Sequence, residues 1–272
     1  MSTYYLRMMF SGPDTPSLRG RVRSLINYML KGYELTRPAY TELSRIISNI
    51  IVYNRDQADI ETIGLILARL KYVPFGHEWR ARERGAERVE KVSQLLRGIN
   101  RQLGDSPRYL DFGCGDGSIT QAMAKTIGAV PMGTDVIPTP PHIIAVNPLL
   151  AQPSNSIDIC TAFVSLHHVV DIHAALREIA RILHPEGVFV IREHDYNGTS
   201  EMRAYLEFIH LFGALKCGEA FDVDELPPVY RSARQWDELL AQYGFVKLLQ
   251  QNYDVGNPQG LYFAVFANNG KQ

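Results

Sequence analysis

The chain has 272 residues, of which 46% are hydrophobic and 21% are charged, and its formal net charge is −1. This composition is typical of a globular protein with a full hydrophobic core, in one large domain or in one domain with a sizeable extension. Apolar runs of about 18 residues are absent from the sequence, so we expect no membrane-spanning helix and no membrane partner. The first residues lack a charged segment followed by an apolar one, so we also expect no signal peptide.

Three scattered cysteines add a prediction about the compartment. Cys114, Cys160 and Cys217 have no paired spacing. This pattern predicts a reducing compartment, which we take to be the cytoplasm, with neither a disulfide framework nor a metal site.

The first hundred residues are predicted to be helical. Apolar residues recur there at spacings of three and four, which is typical of helices that bury one face. We therefore expect residues 1–104 to form a helical extension that covers the rest of the chain. Basic residues outnumber acidic ones up to residue 107, and the reverse holds after it. This asymmetry indicates either a basic face for a polyanion such as RNA or solvated helices that rest on an acidic domain.

From residue 108 the pattern changes to alternating strands and helices, which predicts an α/β fold with a parallel sheet and helices on both faces. The predicted strands are "RYLDF", "VPMGTDV", "IIAVN", "IDICTAFVSL", "GVFVIRE", "FVKLLQQNY" and "GLYFAVFA". The predicted helices are "SITQAMAKTIG", closed by Gly128, "DIHAALREIARIL", with Asp171 as its N-cap, and "SARQWDELLAQYG".

A glycine-rich turn, "YLDFGCGDGSI", follows the first of these strands and opens a helix. Ligands of such sheets bind at the carboxyl ends of the strands, where glycines let the backbone approach closely. Asp111 precedes the turn, and Asp135 ends the next strand, where an acid can accept hydrogen bonds from ribose hydroxyls. The pattern favours a nucleotide-type cofactor over a turn that merely joins strand to helix.

The spacing of the glycines discriminates between cofactors. Dinucleotide-binding turns have G-x-G-x-x-G facing a pyrophosphate. Here Gly113, Gly115 and Gly117 form G-x-G-x-G, preceded by the acid Asp111. A nearby carboxylate repels phosphate and suits a ligand with a positive end, so the turn fits S-adenosylmethionine better than NAD.

Four segments carry a resemblance to a known family. The segments "YLDFGCGDGS", "MGTDV", "SNSIDICTAFVSLHHV" and "LREIARILHPEGVFVIREHD" resemble motifs of class I S-adenosylmethionine-dependent methyltransferases, especially the methyltransferase type 11 group. The resemblance covers roughly residues 105–195 and says almost nothing about the substrate. It implies a Rossmann-like domain over residues 105–272, with an insertion at 198–230. It also implies a seven-stranded, mostly parallel sheet with an antiparallel last strand.

The resemblance also implies roles for individual residues at the cofactor. Asp111 is expected near the ammonium group and Asp135 at the ribose hydroxyls, while the remaining expected contacts are Gly113, Cys114 and Gly115 beside the methionine moiety, Val136 on the adenine and Phe163 on the methionine side. Relatives often carry an acid after the third strand, which binds the adenine amino group, and this chain has none there. Asn147 is the nearest polar candidate, or it only starts a turn before Pro148.

Polar groups at the ends of the fourth and fifth strands are candidates for contact with the methyl acceptor. We predict a catalytic role for His168 in "LHHV" and for Glu193 and His194 in "REHD". The alternative is that these histidines cap a helix or pack in the core. Methyl transfer depends chiefly on alignment, and a base is needed only if the acceptor must lose a proton early.

Three functions remain open at this point. The first is a methyltransferase that acts on an oxygen or nitrogen atom of a small metabolite. The second is an RNA methyltransferase that acts on a cap or a ribose, as in viral genomes. The third is a non-catalytic binding or assembly module with a methyltransferase fold. Residues 72–84 either cover the acceptor pocket or pack on the sheet edge as the entry to a helix, and residues 198–230 are expected to form a second wall of that pocket. The sequence predicts no oligomeric state.

Overall fold

The computed structural model describes residues 30, 35–53, 86–98, 106–135, 143–145, 152–198, 202–203, 206, 210, 228–253 and 261–269. Within these ranges, none of the helices has the length and apolar character needed to cross a membrane. Several expectations fall outside the described residues: much of the predicted helical extension 1–104, including the 72–84 segment, and most of 198–230.

The described strands form a seven-stranded sheet in the order β3-β2-β1-β4-β5-β7-β6. The strands are β1 (Arg108–Phe112), β2 (Val130–Asp135), β3 (Ile143–Ala145), β4 (Ile157–Phe163), β5 (Leu183–His194), β6 (Phe245–Tyr253) and β7 (Leu261–Asn268). The pairs from β3 to β5 are parallel, whereas β7 runs antiparallel to both β5 and β6. This sheet confirms the expected Rossmann-like fold with its antiparallel last strand.

Five helices and one short 3₁₀ turn accompany the strands in the described ranges. They are α1 (Arg37–Tyr53), α2 (Ala86–Gly98), α3 (Ser118–Ile127), the 3₁₀ turn Leu166–His168, α4 (Ile172–Ile182) and α5 (Ala233–Ala241). The Asp171 side chain accepts a hydrogen bond from the Ala174 N–H, which confirms the predicted N-cap of α4. Gly128 ends α3 with a left-handed φ of 71°, as its position predicted.

The sheet has a hydrophobic core on each face. On one face the strands pack against α4 and α5, where Trp236 is fully buried. On the other face they pack against α2 and α3, through residues that include Val92 and Met123. Successive residues of β1, Tyr109 and Leu110, belong to opposite cores, because neighbours on a strand point to opposite faces. Helices on both faces were expected from the sequence.

The start of β5 differs from its prediction. The sequence suggested a strand that begins at Gly187, but β5 begins at Leu183, which pairs with Ile157. The pairing then shifts register and resumes between Ile159 and Val188, so four residues bulge out of the ladder. The sequence could not indicate this earlier start of β5, because the bulged segment "HPEG" has the composition of an ordinary turn.

The chain divides into two compact units. The unit with the sheet comprises residues 80–195, 228–253 and 261–272, and it includes α2. The other comprises residues 1–79, 196–227 and 254–260, and it includes α1. The sequence placed α2 in the extension; the division into 1–104 and 105–272, with an insertion at 198–230, stays a prediction.

Candidate cofactor and acceptor site

The glycine turn after β1 has the conformation that its composition predicted. Gly113 and Gly115 have φ values of 73° and 56°, in the left-handed region that L side chains rarely adopt. A Cβ atom placed on Gly113 would lie 2.3 Å from the Ser165 Cβ, whereas one on Gly115 would have no atom of the described residues within 4 Å. Gly113 is therefore required by a protein contact. Gly115 faces open space, where a ligand can approach the backbone.

Asp135 at the end of β2 is joined to this turn. Its Oδ2 accepts a hydrogen bond of 2.8 Å from the Gly115 N–H. The turn is also tied to β2 by the Gly113 and Cys114 N–H groups, which both donate to the Thr134 carbonyl, at 2.8 and 3.2 Å. A carboxylate has about four acceptor positions, so one such group can bind a backbone N–H and ribose hydroxyls together. The structure brings together the two features that the sequence assigned to the cofactor.

Asp111 lies buried below the turn with both oxygens engaged. Oδ1 accepts from the Thr161 hydroxyl at 2.6 Å, and Oδ2 accepts from the Thr120 hydroxyl at 2.7 Å. The Thr161 hydroxyl gives its hydrogen to Asp111, so the Tyr109 hydroxyl, 3.0 Å away, must donate to Thr161. Burial raises the pKa of Asp111 to about 6, and the two threonine hydroxyls oppose this rise.

Three residues of this network were missed by sequence reasoning. Thr161 is paired in register with Asp111 on the neighbouring strand, and its signal was a polar residue in the middle of a mostly apolar strand. Thr120 lies in the first turn of α3 and had no signal of its own. Arg88 of α2 is buried, and its positive charge also opposes the rise in the pKa of Asp111.

Cys114 and Phe163 are buried. Burial raises the pKa of the Cys114 thiol to about 12, so this group stays protonated at neutral pH. The Phe163 ring lies 6.5 Å from the ring of Phe263 in the core on the α2 and α3 side. Their contacts with a cofactor stay predictions. Val136 and Asn147 lie outside the described residues.

The acceptor candidates at the ends of β4 and β5 form a tight cluster. Glu193 is 1% exposed, and its Oε2 lies 2.6 Å from Nδ1 of His167. Its Oε1 accepts from the backbone N–H groups of Ser165 and Leu166, at 3.1 and 2.8 Å. Burial raises the pKa of Glu193 to about 7, and these backbone hydrogen bonds oppose the rise. The carboxylate is thus occupied by protein groups.

The histidines of this cluster lie in aromatic contact. The His167 ring is 4.1 Å from the His168 ring and 5.3 Å from the His194 ring, between centroids. The Tyr230 ring lies 6.0 Å from His167 and 6.3 Å from His194. His194 is buried and His168 is partly exposed, so of the three predicted catalytic residues His168 is the most accessible. Their catalytic roles stay predictions.

Comparison with known proteins agrees with this geometry. A family model described as "Methyltransferase domain" matches residues 80–250. The chain belongs to this methyltransferase family. Membership confirms the class I fold and the cofactor, S-adenosylmethionine. The site fits that cofactor, because the open side of Gly115 gives access to the backbone and Asp135 lies beside it.

Individual relatives extend this picture. Over 147 residues the chain is 33% identical to the arginine-hydroxylase NDUFAF5, mitochondrial, of Rattus norvegicus, a match that covers 49% of this chain and 40% of that protein. The human protein of the same name is 31% identical over 146 residues, with the same coverage. The chain thus spans about two fifths of the length of these relatives. A structure of the citrinin polyketide synthase CMeT domain has a TM-score of 0.51 at 15% identity, and the alignment covers 94% of this chain and 80% of that one. This similarity shows the fold.

Proposed function

We propose that the protein is an enzyme that transfers a methyl group from S-adenosylmethionine to an oxygen or nitrogen atom of a small molecule. The observation that carries the proposal is the backbone of Gly115, which is open on one side and hydrogen-bonded to Asp135. When bound, the cofactor supplies a methyl carbon on a sulfonium, whose positive charge is lost on transfer. Everything else in the site serves to align the acceptor with that carbon.

The residues of the site divide this work. Asp135 accepts hydrogen bonds from the ribose hydroxyls, and the Gly113–Gly115 backbone passes the methionine moiety. Asp111, held by Thr120 and Thr161, supplies negative potential for the ammonium group. His168, partly exposed at the end of β4, accepts a proton from the acceptor where one must leave.

A small acceptor is favoured over RNA by the character of the strand ends. Most polar groups at the ends of β4 and β5 are buried: two histidines, the Glu193 carboxylate and Arg192, with His168 partly exposed. Polyanion binding relies instead on exposed lysines and arginines that neutralise phosphates. The basic excess before residue 107 supports the RNA alternative. We also propose that the enzyme lies in the cytoplasm.

A methyl-transfer assay tests this function. Purified protein is incubated with S-adenosylmethionine carrying a labelled methyl group and with metabolite pools, capped RNA or peptides. We expect label in a small molecule whose mass rises by one methylene group, and no label with the Gly115→Ala variant, in which a Cβ projects into the open side of the turn. Label in capped RNA, or cofactor binding with no transfer to any acceptor, would contradict the proposal.

A second candidate function comes from the name of the relatives. The relatives that are 31–33% identical to this chain have names that describe them as arginine-hydroxylases and as mitochondrial. The alternative substrate is therefore an arginine in a protein, and the peptide samples test it. In a parallel sample supplied with dioxygen and a two-electron reductant, whose electrons reduce the second oxygen atom to water, arginine peptides that gain one oxygen atom, instead of one methylene group, identify this activity. Such a result would also favour a mitochondrial location over the cytoplasm.

A further inference from the structure

We propose that Glu193 is a positioning residue for the cofactor turn, which it controls through the short segment Val164–Leu166 between β4 and the 3₁₀ turn. The carboxylate binds this segment and His167, and the segment in turn contacts the end of β1 and the glycine that follows it. The inference requires cofactor binding but no particular acceptor, so it stands apart from the proposed methyl transfer.

The first step concerns the hydrogen bonds by which Glu193 holds the segment. One carboxylate oxygen accepts the N–H groups of two successive residues, Ser165 and Leu166. Successive N–H groups that converge in this way form a concave anion site. The other oxygen is held by His167 at 2.6 Å, and the side chains of both partners are 1% exposed. Hydrogen bonds to an ionised group in such a dry environment are stronger than those between neutral groups.

The second step concerns the backbone conformation of Val164, which these hydrogen bonds maintain. Val164 has a φ of 56°, which is a rare conformation for a β-branched residue. Its N–H donates to the carbonyl of Arg192, the residue directly before Glu193 in the chain, at 2.6 Å. A strained residue of this kind persists only when its surroundings fix it on both sides. The carboxylate of Glu193 fixes the residues that follow Val164.

The third step is the contact between the segment and the cofactor turn. The Ser165 hydroxyl donates to the Phe112 carbonyl at 2.9 Å, at the last residue of β1. The Ser165 Cβ occupies the place that a side chain on Gly113 would take, 2.3 Å from that Cβ position. A shift of Ser165 therefore moves the backbone of Gly113 or leaves a gap beside it. The position of the turn that receives the methionine moiety depends in this way on Glu193.

Several charged or titratable groups surround Glu193. His167 and His168 lie on the 3₁₀ turn, Arg192 and His194 on its own strand, and Tyr262 directly opposite it on β7. Arg231 lies on the segment before α5, as does Tyr230, which contacts His167. Burial raises the pKa of Glu193 to about 7, and the positive charge of His168 opposes the rise. The carboxylate therefore gains its charge near neutral pH. Its grip on the two N–H groups strengthens as pH rises through this range.

The test is calorimetric binding of S-adenosylhomocysteine to the full chain, about one pH unit below and above 7, without an acceptor. The variants are Glu193→Gln, which keeps the shape and one acceptor oxygen, and Glu178→Gln as control, because Glu178 is a partly buried carboxylate on α4 that pairs with Arg181. We expect the wild type to bind more weakly as pH falls. Glu193→Gln should bind about tenfold more weakly above pH 7 and lose the part of this pH dependence that is centred near 7, whereas the part due to Asp111, centred near 6, should remain. The control should match the wild type.

A double variant examines the strain directly. Glycine adopts the φ of Val164 without cost, so Val164→Gly combined with Glu193→Gln is expected to recover part of the lost affinity. Wild-type affinity and pH profile in Glu193→Gln would overturn the proposal. So would a defect in turnover alone with unchanged cofactor affinity, which is the mark of a residue that touches the acceptor. A double variant that recovers nothing contradicts the strain-holding step.

Discussion

Replacing Gly113 with alanine is expected to abolish cofactor binding and to lower the free energy of unfolding by roughly 2–5 kcal/mol. A left-handed φ, here 73°, costs an L residue about 1–2 kcal/mol. The added Cβ would also lie 2.3 Å from the Ser165 Cβ, and overpacking of this kind costs about 1–3 kcal/mol. Urea unfolding measures the stability, and calorimetry with S-adenosylhomocysteine measures the binding.

Gly115→Ala is the matched control for this prediction. Its φ of 56° carries a similar backbone cost, but in the part of the chain that the structure describes no atom lies within 4 Å of the new Cβ. The expected loss of stability is therefore only about 1–2 kcal/mol, while cofactor affinity falls sharply because the methyl group enters the open side of the turn. Equal losses of stability in the two variants would contradict the close contact between Gly113 and Ser165.

Asp111 is expected to make the fold less stable as pH rises from about 4 to about 6. Burial raises its pKa from 3.8 to about 6, so in this window the folded protein holds a proton that the unfolded chain has released. Stability then falls as pH rises, by about 3 kcal/mol in all, because a pKa difference of one corresponds to about 1.4 kcal/mol. The asparagine in Asp111→Asn does not titrate. The stability of this variant relative to the wild type should therefore increase by about this amount as pH rises from about 4 to about 6.

Asp158 provides a control of the opposite sign. Its carboxylate pairs with Arg108 at 2.7 Å, and this partner holds its pKa below the ordinary value. The pair therefore contributes stability above about pH 4 that is lost as pH falls through the lowered pKa. Asp158→Asn should lose stability relative to the wild type as pH rises towards about 4, and the difference should then stay level. A level curve for Asp111→Asn over its own, higher window would refute the assigned environment of Asp111.

The fold was largely predictable because its signals are local. Strand β1 has the bounds that "RYLDF" suggested, and α3 ends at Gly128 as expected. The cofactor turn was predictable too, because closely spaced glycines between a predicted strand and a predicted helix indicate a turn with positive φ values. Asp135 could be linked to the turn because an acid at the end of the next strand lies, in this fold, at the same edge of the sheet.

The interior of the site was not predictable, because its contacts depend on distant pairings. Glu193 was expected at the acceptor, but it binds backbone N–H groups 27 and 28 residues earlier in the chain. Thr161 reaches Asp111 only through the register of β1 against β4. Such partners depend on which strands become neighbours in the sheet. The residues between those strands in the sequence do not indicate this order.

Binding of the cofactor to wild-type protein and to Asp135→Ala tests the central claim most directly. Calorimetry with S-adenosylmethionine and S-adenosylhomocysteine should give a dissociation constant on the order of micromolar for the wild type. Binding should be lost in Asp135→Ala, because this carboxylate both fixes the Gly115 N–H and offers acceptors to the ribose. Absence of binding in the folded wild type, or equal binding in the variant, would contradict a cofactor site at the glycine turn.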